Sequence, residues 1–329
     1  MVSTGMNGFG RFGLHLLKYW LDRRKCANFS IDYINDDYLS PQEAYAILLN
    51  DRFVRIPEGY TVSLDDHSLS FVDPSGESHA LFFSHTPKEQ IPWRGKPQLL
   101  LECSGKYCDA TLNRPYLEGH TDKVIISATV ANADQTLIVG FNLQDYDPNA
   151  PILSYGSCII NAFVPLTHWI HQQFQLQDCD TSVIHNTPEY QLLRPENQTL
   201  HRRPCSLQWM GPTLLPYLTP DNFTVLKTYI PHPGISLIDM RYRLTKPPAP
   251  TEMMAILAAS MATGPLKDLY SFDQPHATPE SHLNSPYSAV LRTDGVQLVG
   301  DNLYLSCFFD NENSVNRYFD LVNHISKTS

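Results

Sequence analysis

The chain has 329 residues, 42% of them hydrophobic and 18% charged, with a formal net charge of −10. That length suffices for two domains with a core each, and the composition is too apolar for a disordered chain. The acidic balance argues against nucleic-acid binding, and no apolar run approaches the roughly 18 residues of a membrane helix. The opening residues do not read as a charged, then apolar, leader. The 7 cysteines are odd in number and irregularly spaced, so neither a disulfide framework nor a metal site is expected. Together these features point to a cytoplasmic, reduced setting.

In chain order, the first signal is MVSTGMNGFGRFGLHLLKYWL. Gly8, Gly10 and Gly13 have the G-x-G-x-x-G spacing, between a short polar strand and a helix face of Phe12, Leu14, Leu16, Leu17 and Trp20. Gly8 permits a tight turn, Gly10 lets backbone approach a pyrophosphate, and Gly13 lets the helix pack closely on the sheet. NAD is expected over Gly8, Phe9, Gly10, Arg11 and Phe12. FSIDYINDD places Asp36 at the end of the second strand. A carboxylate there holds the adenosine ribose hydroxyls and repels the 2′-phosphate of NADP. The plainer alternative is that Asp36 and Asp37 cap the next helix, SPQEAYAILLN.

Residues 61–84 alternate apolar and polar around an SG turn, which predicts a hairpin. PQLLLECSGKY then reads as a strand, TLNRPYLEG as a helix and DKVIISAT as a buried strand. Alternating strands and helices with near-continuous apolar strands predict a parallel sheet covered on both faces, a Rossmann-type doubly wound α/β domain. It is expected to span 1–157 and to be completed by the closing helix, 312–329. Residues 158–311 are expected to form a second, α+β domain with a mixed or antiparallel sheet. Of the 25 prolines, many follow position 187, so that half should be rich in loops.

Between the two, the strand-like PILSY meets a small-residue turn, GSC, and an amphipathic helix pattern follows. Cys158 therefore sits at a loop–helix junction, near free backbone N–H groups. A helix N-terminus favours an anion and lowers a thiol's pKa, which suits a nucleophile. The alternative is a buried structural cysteine. His185 ends the run TSVIH, and as the last residue of a strand it can point into a cleft. A Cys–His pair far apart in sequence is the usual form of a thiol active site.

Ser157-Cys158-Ile159-Ile160-Asn161, followed by Pro165-Leu166, resembles the S-C-T-T-N-x-x-x-P-L segment of the glyceraldehyde-3-phosphate dehydrogenase family. The resemblance runs along nearly all of the chain: GMNGFGRFG resembles G-I-N-G-F-G-R-I-G, and TSVIHNTPEYQ the strand ending in the catalytic histidine. It implies Cys158 as nucleophile, His185 as base, and NAD as cofactor. It places Ser104, Gly105 and Tyr107 near the adenine and pyrophosphate, Ser127 on the cofactor side, and Asn311 at the nicotinamide amide. Gln191 matches the family's glutamine beyond the histidine. The family pattern also implies a homo-oligomer, tetramer or dimer, through the loop bearing Arg202 and Arg203.

The departures gather in one place. Where the family holds its two phosphates with hydroxyls, a wrapping T-G and an arginine, this chain has Ile159, Pro188, Leu215-Pro216 and Tyr229. Isoleucine and leucine offer no charge-assisted contact, proline has no N–H, and the bidentate arginine is gone. The expected activity is therefore NAD-dependent oxidation of an aldehyde other than glyceraldehyde 3-phosphate, through a thiohemiacetal and thioester on Cys158. The pocket would be formed by Ser157, Ile159, Pro188, Gln191, Pro216 and Tyr229, and Arg194, Arg202 and Arg203 could recruit another anion, such as a carboxylate. Two alternatives stay open: a dehydrogenase-like binding, regulatory or partner subunit without catalysis, and an acyl-transfer or hydrolytic use of the Cys–His pair.

Overall fold

The computed structural model describes residues 1–51, 53–187, 191–274 and 276–328. The chain divides into two compact units, one of Met1–Leu137, Asn142–Gly156 and Val315–Ser329, the other of Ile138–Phe141 and Ser157–Ser314.

The first unit opens with strand β1 (Val2–Asn7) and helix α1 (Arg11–Arg23), then β2 (Phe29–Asn35) and α2 (Pro41–Asn50). A meander follows, β3 (Thr61–Asp65), β4 (Ser68–Val72) and β5 (Ser78–Ser84), then β6 (Leu99–Glu102), the short α3 (Ala110–Asn113), β7 (Lys123–Ile126), β8 (Gln135–Thr136) and β9 (Ile152–Ser154). The sheet order is β3-β4-β5-β2-β1-β6-β7-β9-β8. Pairing is parallel from β5 through β8, and antiparallel only within the meander. Every residue of β6, β7 and β9 is buried. Their mostly apolar runs, broken only at one end by Glu102, Lys123 and Ser154, belong to a sheet covered on both faces.

Strand β1 lies between β2 and β6, so the strand order reverses beside it. The crevice at such a switch point is where doubly wound sheets bind ligands. Gly8 leaves β1 at φ +101°, and a Cβ there would collide with the Ser104 backbone. A Cβ on Gly13 would sit on the Gly8 carbonyl oxygen. These two glycines let the turn and the helix start close onto the sheet.

Under that turn runs a buried polar row. Lys88 and Glu102 pair at 2.6 Å with 1% exposure each. Glu102 also accepts from Asn7 Nδ2 (2.9 Å) and from the Ser104 N–H (2.9 Å), while Lys88 Nζ donates to Asn113 Oδ1 at 2.7 Å. The Lys88 ammonium lies over the rings of Tyr107 and Tyr116 at 4.1 and 4.4 Å. Burial pulls the Lys88 pKa down, and the Glu102 carboxylate works against it.

The second unit begins with α4 (Cys158–Phe174) and β10 (Leu176–His185), then β11 (His201–Arg202), α5 (Leu207–Leu214), β12 (Phe223–Tyr229) and β13 (Ser236–Leu244). It closes with α6 (Met253–Thr263), β14 (Tyr270–Phe272), β15 (Ala289–Leu291), β16 (Gln297–Val299) and β17 (Asn302–Phe309). The sheet order is β11-β12-β10-β13-β17-β15-β14, with β16 on β17. It is mixed: β10 runs parallel to β12 and β14 to β15, and the remaining pairs are antiparallel. Helix α4 is nearly all buried against one sheet face, and it tolerates Pro165 in its interior. Proline removes the N–H that would bond Asn161 O. The Tyr270 hydroxyl fills the break: it lies 3.1 Å from Asn161 O and 3.0 Å from Ala162 O, and accepts the Leu166 N–H at 3.2 Å.

The final helix, α7 (Asn311–Thr328), returns the chain to the first unit from Val315 onward. There the Tyr318 hydroxyl donates to Ile125 O at 2.6 Å, and its ring meets Phe12 and Tyr155 edge to face. This is the α/β class expected from the sequence, with the second sheet mixed and the last helix packed on the first.

Replacing Lys88 by Met should leave Glu102 a buried, unpaired charge and lower stability by about 3–5 kcal/mol. Urea unfolding of the variant measures this. A loss below about 1 kcal/mol would show that the pair does not hold these strand ends.

Candidate functional site

Ser157 caps α4, its Oγ accepting the Ile160 N–H at 3.4 Å, which makes Cys158 the first helical residue. Strand β10 buries alternate residues, Cys179, Thr181, Val183 and His185, on the face that α4 covers. That register carries the imidazole to the thiol: Cys158 Sγ and His185 Nε2 are 3.8 Å apart. The other ring nitrogen, Nδ1, lies 2.8 Å from Asn186 O. A carbonyl can only accept, so Nδ1 carries the proton and the Nε2 lone pair faces the thiol. Asn186 is fixed in turn. Its N–H donates to Ser236 Oγ (3.1 Å), Ser236 Oγ donates to its Oδ1 (3.0 Å), and its Nδ2 donates to Gly234 O (2.5 Å).

The surround is apolar and aromatic. Tyr229 lies 5.0 Å from the His185 ring, Phe309 meets it edge to face at 5.9 Å, and Ile159 is buried in the same core. Burial pushes the Cys158 thiol up to about 12, with the Lys227 ammonium and the Ile159 N–H pulling back. Burial, then Lys227, pushes His185 down to about 4, against the Asn186 carbonyl. The expectation of a lowered thiol pKa is therefore corrected. A helix start supplies only about 0.3–1 kcal/mol to an anion, and desolvation outweighs it. At neutral pH the pair is an uncharged thiol and an uncharged imidazole.

Of the other pocket residues, Ser157 and Tyr229 stand beside the pair. Pro216 is solvent-exposed beyond the end of α5. Gln191 is half-buried, its carbonyl accepting from Asn197 at 3.1 Å. Pro188 lies outside the described residues.

In the first unit the glycine turn and Asp36 come together. The Phe9 N–H donates to Asp36 Oδ2 at 2.6 Å, and Oδ1 accepts from Tyr38 and Leu39 at 2.9 and 2.8 Å. Helix α2 is capped instead by Ser40 and Glu43, so Asp36 does not serve as its cap. Helix α1 starts at Gly10 with no side-chain cap, and a Cβ on Gly10 would meet nothing within 4 Å. Uncapped helical N–H groups facing open space suit a pyrophosphate. Arg11 pairs with Asp51 at 2.8 Å, and the Phe12 ring turns inward against Tyr155. Ser104 is held by Glu102, Gly105 stands open at φ +70°, and Tyr107 lies under the Lys88 ammonium. The Ser127 N–H donates to Glu102 O at 2.9 Å. Asn311 is exposed at the start of α7. The donors and open backbone fit a dinucleotide. Among the described residues no three His, Cys, Asp or Glu side chains gather as a metal site, and no helix is long and apolar enough to cross a membrane.

A scan against models of known protein families finds no match. Curated proteins do match, and from end to end. The chain is 26% identical to a glyceraldehyde-3-phosphate dehydrogenase of Debaryomyces hansenii over 350 aligned positions, covering 100% of this chain and 99% of the relative. The corresponding enzyme of Mycobacterium leprae is 25% identical, with 99% of each chain covered. The cytosolic enzyme of Dianthus caryophyllus is 24% identical, over 99% of this chain and 98% of its own. The likeness is distant and whole-length. It links this chain to the fold of glyceraldehyde-3-phosphate dehydrogenases and leaves its substrate open.

Sequence reasoning passed over Lys88, Glu102 and Lys227. The signal for Lys227 was the period of its strand: Phe223 and Val225 are buried, so 227 and 229 share their face. Glu102 closes an otherwise apolar strand, LLLE, and a carboxylate there needs a buried partner.

The His185 position has a consequence for stability. The unfolded chain takes up the imidazole proton near pH 6.5, whereas the folded chain waits until about 4. Between those values the unfolded state binds more protons, so stability falls as pH drops through this window. The full effect is about 3 kcal/mol, and His15, held down to about 3 by burial, adds to it. Urea titrations across the window should show this slope, and His185→Gln should flatten it. An unchanged slope in the variant would mean that the imidazole is solvated.

Proposed function

We propose that the chain is an NAD-dependent oxidoreductase of an aldehyde other than glyceraldehyde 3-phosphate, with Cys158 as nucleophile and His185 as general base. The observation that carries this is the 3.8 Å approach of Sγ to an Nε2 whose lone pair is directed by the Nδ1 contact with Asn186 O. The whole-length likeness to glyceraldehyde-3-phosphate dehydrogenases supports the reaction class.

In this reading the Cys158 sulfur adds to the aldehyde carbon. An S–C bond forms, the carbonyl π bond opens, and the thiol proton passes by way of His185 Nε2 toward the new oxygen. The Cys158 backbone N–H and the imidazole stand ready to donate to that oxygen as charge grows on it. Bound nicotinamide dinucleotide supplies the acceptor for the hydride that leaves the thiohemiacetal carbon. His185 then holds the hydroxyl proton, and water adds to the thioester, releasing the acid and restoring the thiol. The uncapped N-terminus of α1, open Gly10 and Asp36 would hold the dinucleotide. Ile159 and Tyr229 favour a substrate without the phosphate of the relatives' substrate, since neither can clamp a dianion.

A second reading has its own support. The raised thiol and lowered imidazole suit a subunit that has kept its scaffold without catalysis.

An aldehyde panel followed by NADH absorbance separates the two. The expected result is turnover that Cys158→Ser abolishes and His185→Ala lowers by about 10²–10⁴. Silence with every aldehyde, phosphorylated or not, would favour the second reading. Turnover confined to glyceraldehyde 3-phosphate with inorganic phosphate would refute the substrate assignment.

A further inference from the structure

Strand β12 runs parallel to β10, pairing Lys227 with Val183 and Tyr229 with His185. Side chains two apart on a strand share a face. Lys227 therefore projects to the side of the sheet that holds His185 and Cys158, although it is a lysine in a row that begins Phe223, Val225. Its ammonium lies over the Tyr229 ring at 4.7 Å, and the other side of the His185 contact is that same ring, 5.0 Å away. Lys227 acts electrostatically on three groups at once, Cys158, His185 and Cys205. Half-buried, it has no carboxylate and no hydrogen-bond acceptor among the described residues; its ammonium rests on the Tyr229 ring, which the Arg203 guanidinium also meets at 5.3 Å. A half-buried cation with no anionic partner among the described residues, beside a second cation on the same ring, is an anion site in waiting.

We infer that Lys227 binds the anionic group of the substrate, a carboxylate at the end of a short chain whose other end presents its reactive carbon to Cys158. The inference rests on the reading of Cys158 as a nucleophile and adds the substrate class, a short oxo acid. A carboxylate suits the place better than a phosphate dianion. One flexible ammonium supplies a point charge without the bidentate fork that a phosphate prefers, and Ile159 and Phe309 add no donor side chain.

The test uses two alkylating probes of nearly the same shape, iodoacetate and iodoacetamide, on the full chain, with labelling of Cys158 read by peptide mass. Both are displaced at carbon by the sulfur with loss of iodide, and only the first carries a carboxylate. Their rate ratio cancels any change in thiolate fraction. Relative to glutathione at the same pH and salt, Cys158 should favour iodoacetate. Lys227→Gln should cut the ratio by about tenfold, and Lys227→Arg should keep most of it. A ratio unchanged in Lys227→Gln would overturn the inference. So would failure of both probes to reach Cys158 in native protein while exposed Cys26 is labelled, since an anion that cannot enter cannot be held.

Oxidation of succinic semialdehyde and butanal is then compared. Preference for the first, lost in Lys227→Gln, extends the result to turnover. If neither is oxidised but the labelling ratio still falls in the variant, the dehydrogenase reading fails and the anion site stands. If both are oxidised equally and the ratio is insensitive to Lys227, the dehydrogenase reading stands and the anion site fails.

Discussion

The Cys158 thiol and the His185 imidazole meet in a core that excludes most solvent, and that burial sets the terms for everything around them. A thiolate–imidazolium pair would need two charges desolvated at once, and each group is pushed toward its neutral form. The sheet then has to deliver geometry in place of charge. It does so through the strict alternation of β10, which turns Cys179, Thr181, Val183 and His185 inward, and through the Asn186–Ser236 hydrogen bonds just past its end. The second-unit core depends on the same arrangement, because α4, which begins at Cys158, is also the helix that fills the sheet's buried face. The Tyr270 hydroxyl keeps that helix continuous across Pro165, so a residue more than a hundred positions away helps fix the line along which the thiol points.

The first unit solves a related problem in the opposite way. There a full ion pair, Lys88 with Glu102, is buried, and the charge is tolerated because each partner is met from several sides. Asn7 and Ser104 reach Glu102, while Asn113 and two aromatic faces reach Lys88. These residues come from the ends of β1 and β6 and from the turns beyond, which is also where the Gly8 turn leaves the sheet. The row keeps the strand ends level, and the turn above keeps helical N–H groups unspent. Asp36 joins the two by accepting the Phe9 N–H, so in this structure its carboxylate positions the glycine turn from below.

Much of this was legible in the sequence because it follows from short-range rules. The glycine spacing, the buried apolar runs of β6 and β7, a hairpin within 61–84 and the closing helix are all written in periodicity and turn residues, although the structure adds a third strand that makes the hairpin a meander. The pairing of Cys158 with His185 was legible too, since each falls at the end of a predictable element. What the sequence did not carry was solvent exposure. Cys158 at the start of a helix reads as an activated thiol only while water is assumed nearby; how deeply α4 sinks against β10 is a property of packing between distant segments. Pro216, expected in the pocket from its place in the order of the chain, lies exposed in the connection after α5. Lys227 was missed because one charged residue in a strand reads as solvent-facing unless the phase of its neighbours is followed.

The neutral pair and the stray cation make sense together. Addition of a thiol to an aldehyde turns one neutral pair into one neutral adduct, so a buried site can complete that step without holding net charge. In the proposed reaction charge would appear later, when hydride leaves the thiohemiacetal carbon and His185 takes the hydroxyl proton. Lys227 opposes that imidazolium, being one of the two influences that lower the basicity of His185. A substrate carboxylate seated on Lys227 would cancel the opposition and raise the imidazole's affinity for the proton at the moment it is needed. The same ammonium that weakens the base in the empty site would then reward the right substrate and leave a neutral aldehyde facing a poor base. Selectivity would arise in the proton transfer as well as in binding, from one lysine placed a single strand repeat from the ring that touches His185.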